Sequence, residues 1–349
     1  MLKLKNVLLK DYNSFHCGGM AENLVVCEST EELKQAIREN LHSKLTVLGY
    51  GTNVLISDKG LTGTTVITKG GDCHFENELL VADAGAWWDD IVQASIDKEL
   101  WGIELMSGIP SSIGGAIHGN IAAYGQQIAD TLEWVEVIAT DSQKIYSIPS
   151  SELSFNYRYC SLSDKSHLVI FRAAFRLSNN PTKSLEYGSA LRIADELKLD
   201  KNKLNDRRLT ILEARKRAGS LYDPNQKATS YTAGSFFKNP IVPLEVAREV
   251  IKFDETGKSA DVLLKQNQIH GGSDHRVSAA HVLLAAGFMR GQTWDNVRLH
   301  PDHILKIENI GNATSQEIYN VSREIMNQVY EKLCIKLEPE VKFLGDFSE

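Results

Sequence analysis

Two glycine-rich segments restrict this chain more than any other feature: Gly49-Tyr50-Gly51-Thr52-Asn53, and a longer run from Ser107 to Gly125 that holds Gly108, Gly114, Gly115 and Gly119. So many residues without side chains are costly in chain entropy. They point to backbone that passes close to something bulky or presents N–H donors to a phosphate. The first segment follows the β-like run Leu45-Thr46-Val47-Leu48 but departs from the Rossmann fingerprint. Val54 stands where the third glycine is required, and another β-like segment follows where a helix should begin. Taken singly, either segment also reads as an ordinary turn packed on a sheet.

Periodicity gives an α+β chain. Ser29-Thr30-Glu31-Glu32 offers a capping box before helical spacing at Leu33, Ala36, Ile37 and Leu41. β-like segments are predicted at Leu79 to Ala82, Trp134 to Ala139, Ile145 to Ile148 and Leu168 to Leu177, with one helix near Asp89 to Ile96. Ala190, Ile193, Ala194 and Leu197, then Leu209, Leu212 and Ala214, predict two amphipathic helices crossing between domains. Further helices are predicted at Leu244 to Ile251, Ala279 to Ala286 and Ile318 to Leu333, the last behind a Thr314 to Glu317 capping box. The polar stretch Phe253 to Arg276 reads as an insertion or mobile loop.

With 349 residues the chain exceeds one typical domain. A net charge of -7 supplies no basic field for a polyphosphate backbone, so nucleic acid is not the expected partner. Five cysteines without a CxxC pair suit a reducing compartment, and no apolar run approaches the roughly 20 residues of a bilayer span, so a cytoplasmic protein with no membrane partner is expected. No histidine cluster has metal-ligand spacing, and no metal is expected.

The order of Asn13-Ser14-Phe15, Leu48 to Leu55, Ala84-Gly85-Ala86-Trp87-Trp88, Ser107-Gly108-Ile109-Pro110, Ala123-Tyr124-Gly125, Phe155-Asn156-Tyr157-Arg158, Gly234-Ser235-Phe236-Phe237-Lys238-Asn239-Pro240 and Glu338-Pro339-Glu340-Val341 resembles the UDP-N-acetylenolpyruvoylglucosamine reductase (MurB) family. The resemblance runs from about residue 10 to 345, and Leu185-Glu186-Tyr187-Gly188 looks like the tyrosine loop of its first structural type. It implies a vanillyl-alcohol-oxidase-type (PCMH) FAD-binding domain in two subdomains, residues 1–65 and 66–230, with a C-terminal α+β substrate-binding domain over 231–349. The implied reaction is the NADPH- and FAD-dependent reduction of UDP-N-acetylglucosamine enolpyruvate to UDP-N-acetylmuramate in peptidoglycan precursor synthesis, by a monomer with non-covalent flavin and a nucleotide-sugar substrate.

Hydride delivered to C3 of the enolpyruvyl group leaves charge at C2 and on the carboxylate, which calls for an acid, a cation and an enol stabiliser. The resemblance assigns these roles to Ser235, Arg158 and Glu340, the last in its protonated form. It implies cofactor contacts from Gly49, Tyr50, Gly51, Thr52, Asn53, Ser107, Gly108, Ile109, Pro110, Gly115, Asn120, Ala123 and Gly125, and substrate contacts from Tyr187, Lys238 and Asn239. Without it, Arg158 reads as a guanidinium stacked on Tyr157 or Tyr159 and Glu340 as a solvent-facing strand carboxylate. An oxidase on the same fold would attach flavin covalently, with His118 as the attachment point. A binding protein that lost the chemistry is the third reading.

Two departures from the family stand out. Ser111 occupies a position usually held by glycine, which is tolerable if its backbone angle is ordinary. Alignment on Asp223-Pro224 puts Ala218 or Ser220 where many members carry a diphosphate-binding lysine, with Lys216 and Arg217 close by and Lys227 and Lys238 as alternatives. The segment from Pro224 to Gly234 is also longer than in the commonest members.

Overall fold

A computed structural model describes residues 1–41, 43–221, 231–253 and 275–348. Contacts divide the chain into two compact units that interleave along the sequence. Unit 1 is Met1–Val7, Ala21–Tyr50 and Thr62–Asn225; unit 2 is Leu8–Met20, Gly51–Leu61 and Gln226–Glu349. The sequence expectation was three consecutive segments, whereas residues 8–20 and 51–61 cluster with the C-terminal part. The first glycine segment is itself divided, with Tyr50 in unit 1 and Gly51 in unit 2.

Unit 1 is built on two sheets. One is four-stranded, in the order Leu2–Leu8, Met20–Cys27, Leu61–Thr68, Leu45–Leu48; the other is five-stranded, in the order Ile145–Pro149, Leu132–Ala139, Leu168–Arg176, Leu79–Asp83, Cys73–Glu76. The second is antiparallel at every pairing. Helix α1 (Thr30–Glu39) starts where Ser29 accepts the Glu32 N–H, and it buries Leu33, Ala36 and Ile37 against Val66, Ile138 and Phe171 from the two sheets. The predicted capping box is offset by one residue, because the Glu32 carboxylate takes the N–H of Glu28 at 2.9 Å. Helix α2 (Trp88–Asp97) is anchored by Trp88, fully buried, whose indole donates to Met106 O at 3.1 Å.

A short helix α3 (Ile113–His118) lies inside the segment that the sequence presents as a glycine loop. Ser112 caps it by accepting from Gly115 N. Helices α4 (Gly188–Leu197) and α5 (Leu204–Arg217) complete the unit. In α5 the buried face differs from the predicted one: Leu209 is 52% exposed, while Arg207 is 3% exposed. The reason is the Glu104 carboxylate, 0% exposed, which receives Arg207 Nη1 at 2.8 Å. Its other oxygen receives Gly102 N at 2.8 Å and Gln126 Nε2 at 2.9 Å. Arg207 also stacks over Trp101 and donates to the carbonyls of Lys201 and Lys183. An apolar-only count of the helix face misses a guanidinium so fully satisfied.

Unit 2 packs α6 (Leu244–Val250), α7 (Ala279–Ala285) and α8 (Ser315–Leu333) with a three-stranded sheet in the order Thr293–Trp294, Val297–Leu299, Ile307–Asn309. The α8 capping box is formed as predicted, with Glu317 N on Thr314 Oγ1 and Thr314 N on the Glu317 carboxylate. Asp58 accepts two more first-turn N–H groups, from Ser315 at 3.0 Å and Gln316 at 2.8 Å. Val54–Ile56 pairs in parallel with Lys342–Leu344, and Asn309 donates to Phe15 O at 2.9 Å. These long-range bonds explain why two N-terminal pieces belong here. Phe253 to Arg276 lies outside the described residues except at its ends, and so does Pro224 to Ser230.

The buried Arg207–Glu104 pair gives a stability prediction. Arg207→Met leaves a buried carboxylate without its countercharge and should cost about 3–5 kcal/mol. Urea unfolding of parent and variant measures it, and Arg207→Met with Glu104→Gln together should cost less than the sum of the single changes.

Candidate functional site

In unit 1 the two glycine segments meet. A Cβ on Gly49 would lie 2.2 Å from Ser112 Oγ, so this glycine is required by the N-cap of α3. Tyr50 is wedged beside it, accepting from Gly70 N at 3.2 Å, donating to Gly85 O at 3.3 Å and standing edge-on to Trp87. Burial pushes its phenol up from the ordinary tyrosine value. Ser107 is fully buried and donates to Glu104 O at 2.6 Å, which ties the start of the second segment to the backbone of Glu104. Gly108, at φ +72°, donates to Asp89 at 2.6 Å, and a Cβ there would meet Leu212, Leu221 and Arg215. Asp89 is held by a bidentate Arg208 at 2.7 and 2.9 Å.

Ser111 is absent from the positive-φ residues and its hydroxyl bonds Ser112 O, so serine fits this position without strain. Gly115 is exposed, with its N–H on Ser112. Asn120 is 1% exposed and uses its amide on the fold: it donates to Asn156 O at 3.1 Å and Gln127 Oε1 at 3.3 Å and accepts from Ala129 N at 3.1 Å. Those bonds attach the hairpin Phe155–Asn156 and Tyr159–Cys160 to the second segment. Arg158 sits at the hairpin turn with φ +55°, donates to Ala122 O at 3.0 Å, and lies 5.6 Å from the Tyr157 ring. A non-glycine residue held at positive φ is a strained position of the kind found at functional sites. Ile109, Pro110 and Ala123 are half-buried.

Around Arg158 gather two tyrosines. Tyr187, the residue before α4, stands edge-on to Tyr124 at 5.4 Å. Burial raises both phenols; Arg158 opposes this at Tyr187, and Arg215 opposes it at Tyr124. Arg215 itself donates to Gly108 O at 3.0 Å and Ser220 O at 2.9 Å. The sequence reading missed it and looked to Lys216 and Arg217, which are exposed; Arg217 is engaged by Glu213 and Glu196. The available signal was spacing, since Arg207, Ile211 and Arg215 recur every four residues on the buried face of α5. Lys227 lies outside the described residues.

In unit 2, Phe236 lies at the centre of a small strand arrangement. Its N–H donates to Leu305 O at 2.8 Å, and its carbonyl accepts from Glu340 N at 2.8 Å. Ser235 bridges Lys306 on one side, and Phe237 bridges Pro339 on the other. Ser235 and Glu340 are both half-buried, while Phe236 and Phe237 are 0% and 2% exposed. Asn53 donates to Glu340 O at 3.2 Å and accepts from Lys342 N at 3.1 Å, so the Gly51 to Asn53 half of the first segment lies alongside Glu340. Thr52 O accepts from Ser14 Oγ, and a Cβ on Gly51 would meet Tyr12 O at 2.1 Å. Lys238 is 3.6 Å from Glu338, and Asn239 accepts from Ala279 N at the start of α7.

Comparison with known proteins settles the family. A family model described as the UDP-N-acetylenolpyruvoylglucosamine reductase C-terminal domain matches residues 223–344, and one described as an FAD binding domain matches residues 21–145. UDP-N-acetylenolpyruvoylglucosamine reductase 2 of Corynebacterium glutamicum is 30% identical over 97% of this chain and 93% of its own. The chain belongs to the UDP-N-acetylenolpyruvoylglucosamine reductase family. The reductase of Thermobifida fusca is 31% identical, with 98% of each chain covered. The crystal structure of the Thermus caldophilus reductase (MurB) shares the fold, with a TM-score of 0.66 at 24% identity over 99% of this chain and 98% of that one. The expected α+β class, an FAD-binding part of the PCMH type plus an α+β C-terminal domain, therefore holds.

Five glycines of this reductase show two different causes. Gly49, Gly51 and Gly108 are demanded by the protein's own atoms. Among the described residues, nothing lies within 4 Å of a would-be Cβ on Gly125 at φ +93° or Gly234 at φ +84°.

Unit 2 also yields a pH prediction. Burial, reinforced by the Lys306 charge, holds His303 down at about 4. Above pH 6.5 the residue is neutral whether folded or unfolded and makes no difference. As the pH falls below 6.5 only the unfolded chain takes the proton, so stability should drop by about 2 kcal/mol between pH 7.5 and 5. Denaturant midpoints across that range should show a smaller drop for His303→Gln.

Proposed function

We propose that Ser235 donates a proton to C2 of the substrate, that Arg158 holds and polarises its carboxylate, and that Glu340 hydrogen-bonds the enol-like intermediate. The reaction is the family's: reduction of UDP-N-acetylglucosamine enolpyruvate to UDP-N-acetylmuramate with FAD and NADPH, a step of peptidoglycan precursor synthesis. Bound FAD, reduced by NADPH, supplies the hydride for C3.

The observation that carries the acid assignment is the placement of Ser235. Its backbone is fixed through the bonds that Phe236 makes on both sides, and Gly234 before it borders open space. Phe236 and Phe237 are buried and help exclude water from the neighbourhood of the hydroxyl. A serine is a weak acid and gives up its proton only to a strong base, which the developing carbanion at C2 is. Glu340 follows Ser235 through one backbone hydrogen bond to Phe236. Arg158 offers a planar fork for a carboxylate, preset by its turn and by Ala122.

The same reading gives Tyr187 the role of closing over substrate, and gives Lys238 and Asn239 its diphosphate. The exposed Lys238–Glu338 pair is weak enough to be exchanged for a phosphate. For the cofactor it retains the turn Gly49 to Asn53 and the segment from Ser107 to Gly125. The five cysteines, none in a disulfide, support a reducing cytoplasmic setting, and the net charge of -7 supports a monomer without nucleic-acid partners. Among the described residues no helix is long and apolar enough to cross a membrane.

The test is anaerobic and optical. NADPH should bleach the flavin absorbance and the enolpyruvyl nucleotide sugar should restore it. Ser235→Ala should retain the bleaching and slow the restoration, with a barrier increase of about 3 kcal/mol or more. Restoration within tenfold of the parent rate would remove Ser235 as the acid.

A further inference from the structure

We infer that Lys183 is a positioning residue for substrate binding: it fixes the Tyr124–Gly125 turn against which Tyr187 stands. The inference rests on the reading of Tyr187 as the side chain that closes over substrate, and adds a group that acts through it.

Ala122–Ala123 and Gln126–Gln127 pair as an antiparallel hairpin, Ala122 with Gln127 and Ala123 with Gln126, which leaves Tyr124 and Gly125 as a two-residue loop. Both loop residues have positive φ, +48° and +93°. That is what the tight hairpin turn matched to strand twist requires, and Asn-Gly is its usual sequence. A tyrosine at the first position carries the left-handed penalty and stays there only where the surroundings over-determine the backbone.

Lys183 supplies part of that constraint. Its Nζ donates to Gly125 O at 2.9 Å and to the Asp130 carboxylate, which itself accepts Gln127 N at 3.0 Å. One ammonium therefore grips the loop and, through Asp130, the second strand of the hairpin. The backbone of the lysine is fixed in turn, because Arg207 donates to Lys183 O at 2.8 Å. Two residues on, Leu185 is buried with Leu105, Ala190 and Ile211, and Tyr124 and Tyr187 pack on that cluster. The chain from 183 to 187 thus meets one turn twice: Lys183 at Gly125, and Tyr187, edge-on at 5.4 Å, at Tyr124. Arg158 holds the same hairpin from its first strand, through Ala122 O. Releasing Gly125 O lets the Tyr124 backbone relax from its left-handed conformation and shifts the ring that faces Tyr187.

An ion pair whose lysine is 39% exposed adds little to stability, so Lys183→Met should unfold in urea near the parent midpoint and retain flavin. Rapid mixing of the pre-reduced enzyme with the enolpyruvyl nucleotide sugar gives the limiting rate of flavin reoxidation and the half-saturating substrate concentration. In Lys183→Met that concentration should rise on the order of tenfold while the limiting rate stays within about twofold, since the lost interaction serves binding before and during the chemical step alike. Lys183→Arg keeps a charged donor and should recover most of the affinity. Tyr187→Ala should raise the same concentration, and adding Lys183→Met to it should have no further effect. If Tyr187→Ala weakens binding and Lys183→Met does not, or if the two losses multiply in the double variant, Lys183 does not act through Tyr187 and the inference falls. If Tyr187→Ala binds substrate like the parent, the reading of Tyr187 falls, and the inference with it. Should Lys183→Met lose its flavin, Lys183→Gln is put through the same comparison and the same outcomes decide.

Discussion

The backbone of Phe236 is hydrogen-bonded on both sides, to Leu305 through its N–H and to Glu340 through its carbonyl, and much of unit 2 takes its arrangement from those two bonds. One fixes which residue stands across from Ser235; the other fixes how far Glu340 lies from it along the next segment. The ring of Phe236 is fully buried near Phe15, Phe237 and Phe343, so the strand can neither slide nor rotate without opening the core. A one-residue slip would turn Ser235 to the opposite face and put a phenylalanine beside Lys306.

Unit 1 obtains the same rigidity by different means. Its second glycine segment is anchored by Ile113, Ala116 and Ile117 in the apolar core and is held also by buried polar groups. Glu104 receives Gly102, Gln126 and Arg207, and Gln126 in turn accepts from Leu105 N. Asn120 attaches the hairpin that carries Arg158. Such a network tolerates little change, since loss of any member leaves a buried polar atom unsatisfied.

Local signals in the sequence were legible. The Thr314 to Glu317 capping box, the Ser29 cap, the strands around Val135 and Ile170 and the β-like segment after Val54 all depend on short-range chemistry and are found as read. What was not legible depends on partners far along the chain. The α3 helix was hidden because Gly114 and Gly115 suppress its propensity, although Ser112 before Ile113, Ala116 and Ile117 is an N-cap signal. Arg207 was not read as part of the buried face of α5, because its carboxylate partner lies more than 100 residues away. The assignment of residues 8–20 and 51–61 to unit 2 rests on pairings with Asn309 and Lys342–Leu344 that no local window contains.

The glycine segments carry the sharpest physical distinction. An unusual density of glycine was read as backbone prepared for a ligand, yet Gly49, Gly51 and Gly108 are each forced by a neighbouring atom of the protein itself. Gly125 and Gly234 answer to no such neighbour, while both adopt positive φ. Alanine at the first three positions would collide with the fold; at the other two it would pay only the backbone cost of a left-handed conformation and narrow the adjacent space. Glycine therefore serves two ends: Gly49, Gly51 and Gly108 bring segments close enough to build the scaffold, while Gly125 and Gly234 border space that the described residues do not fill.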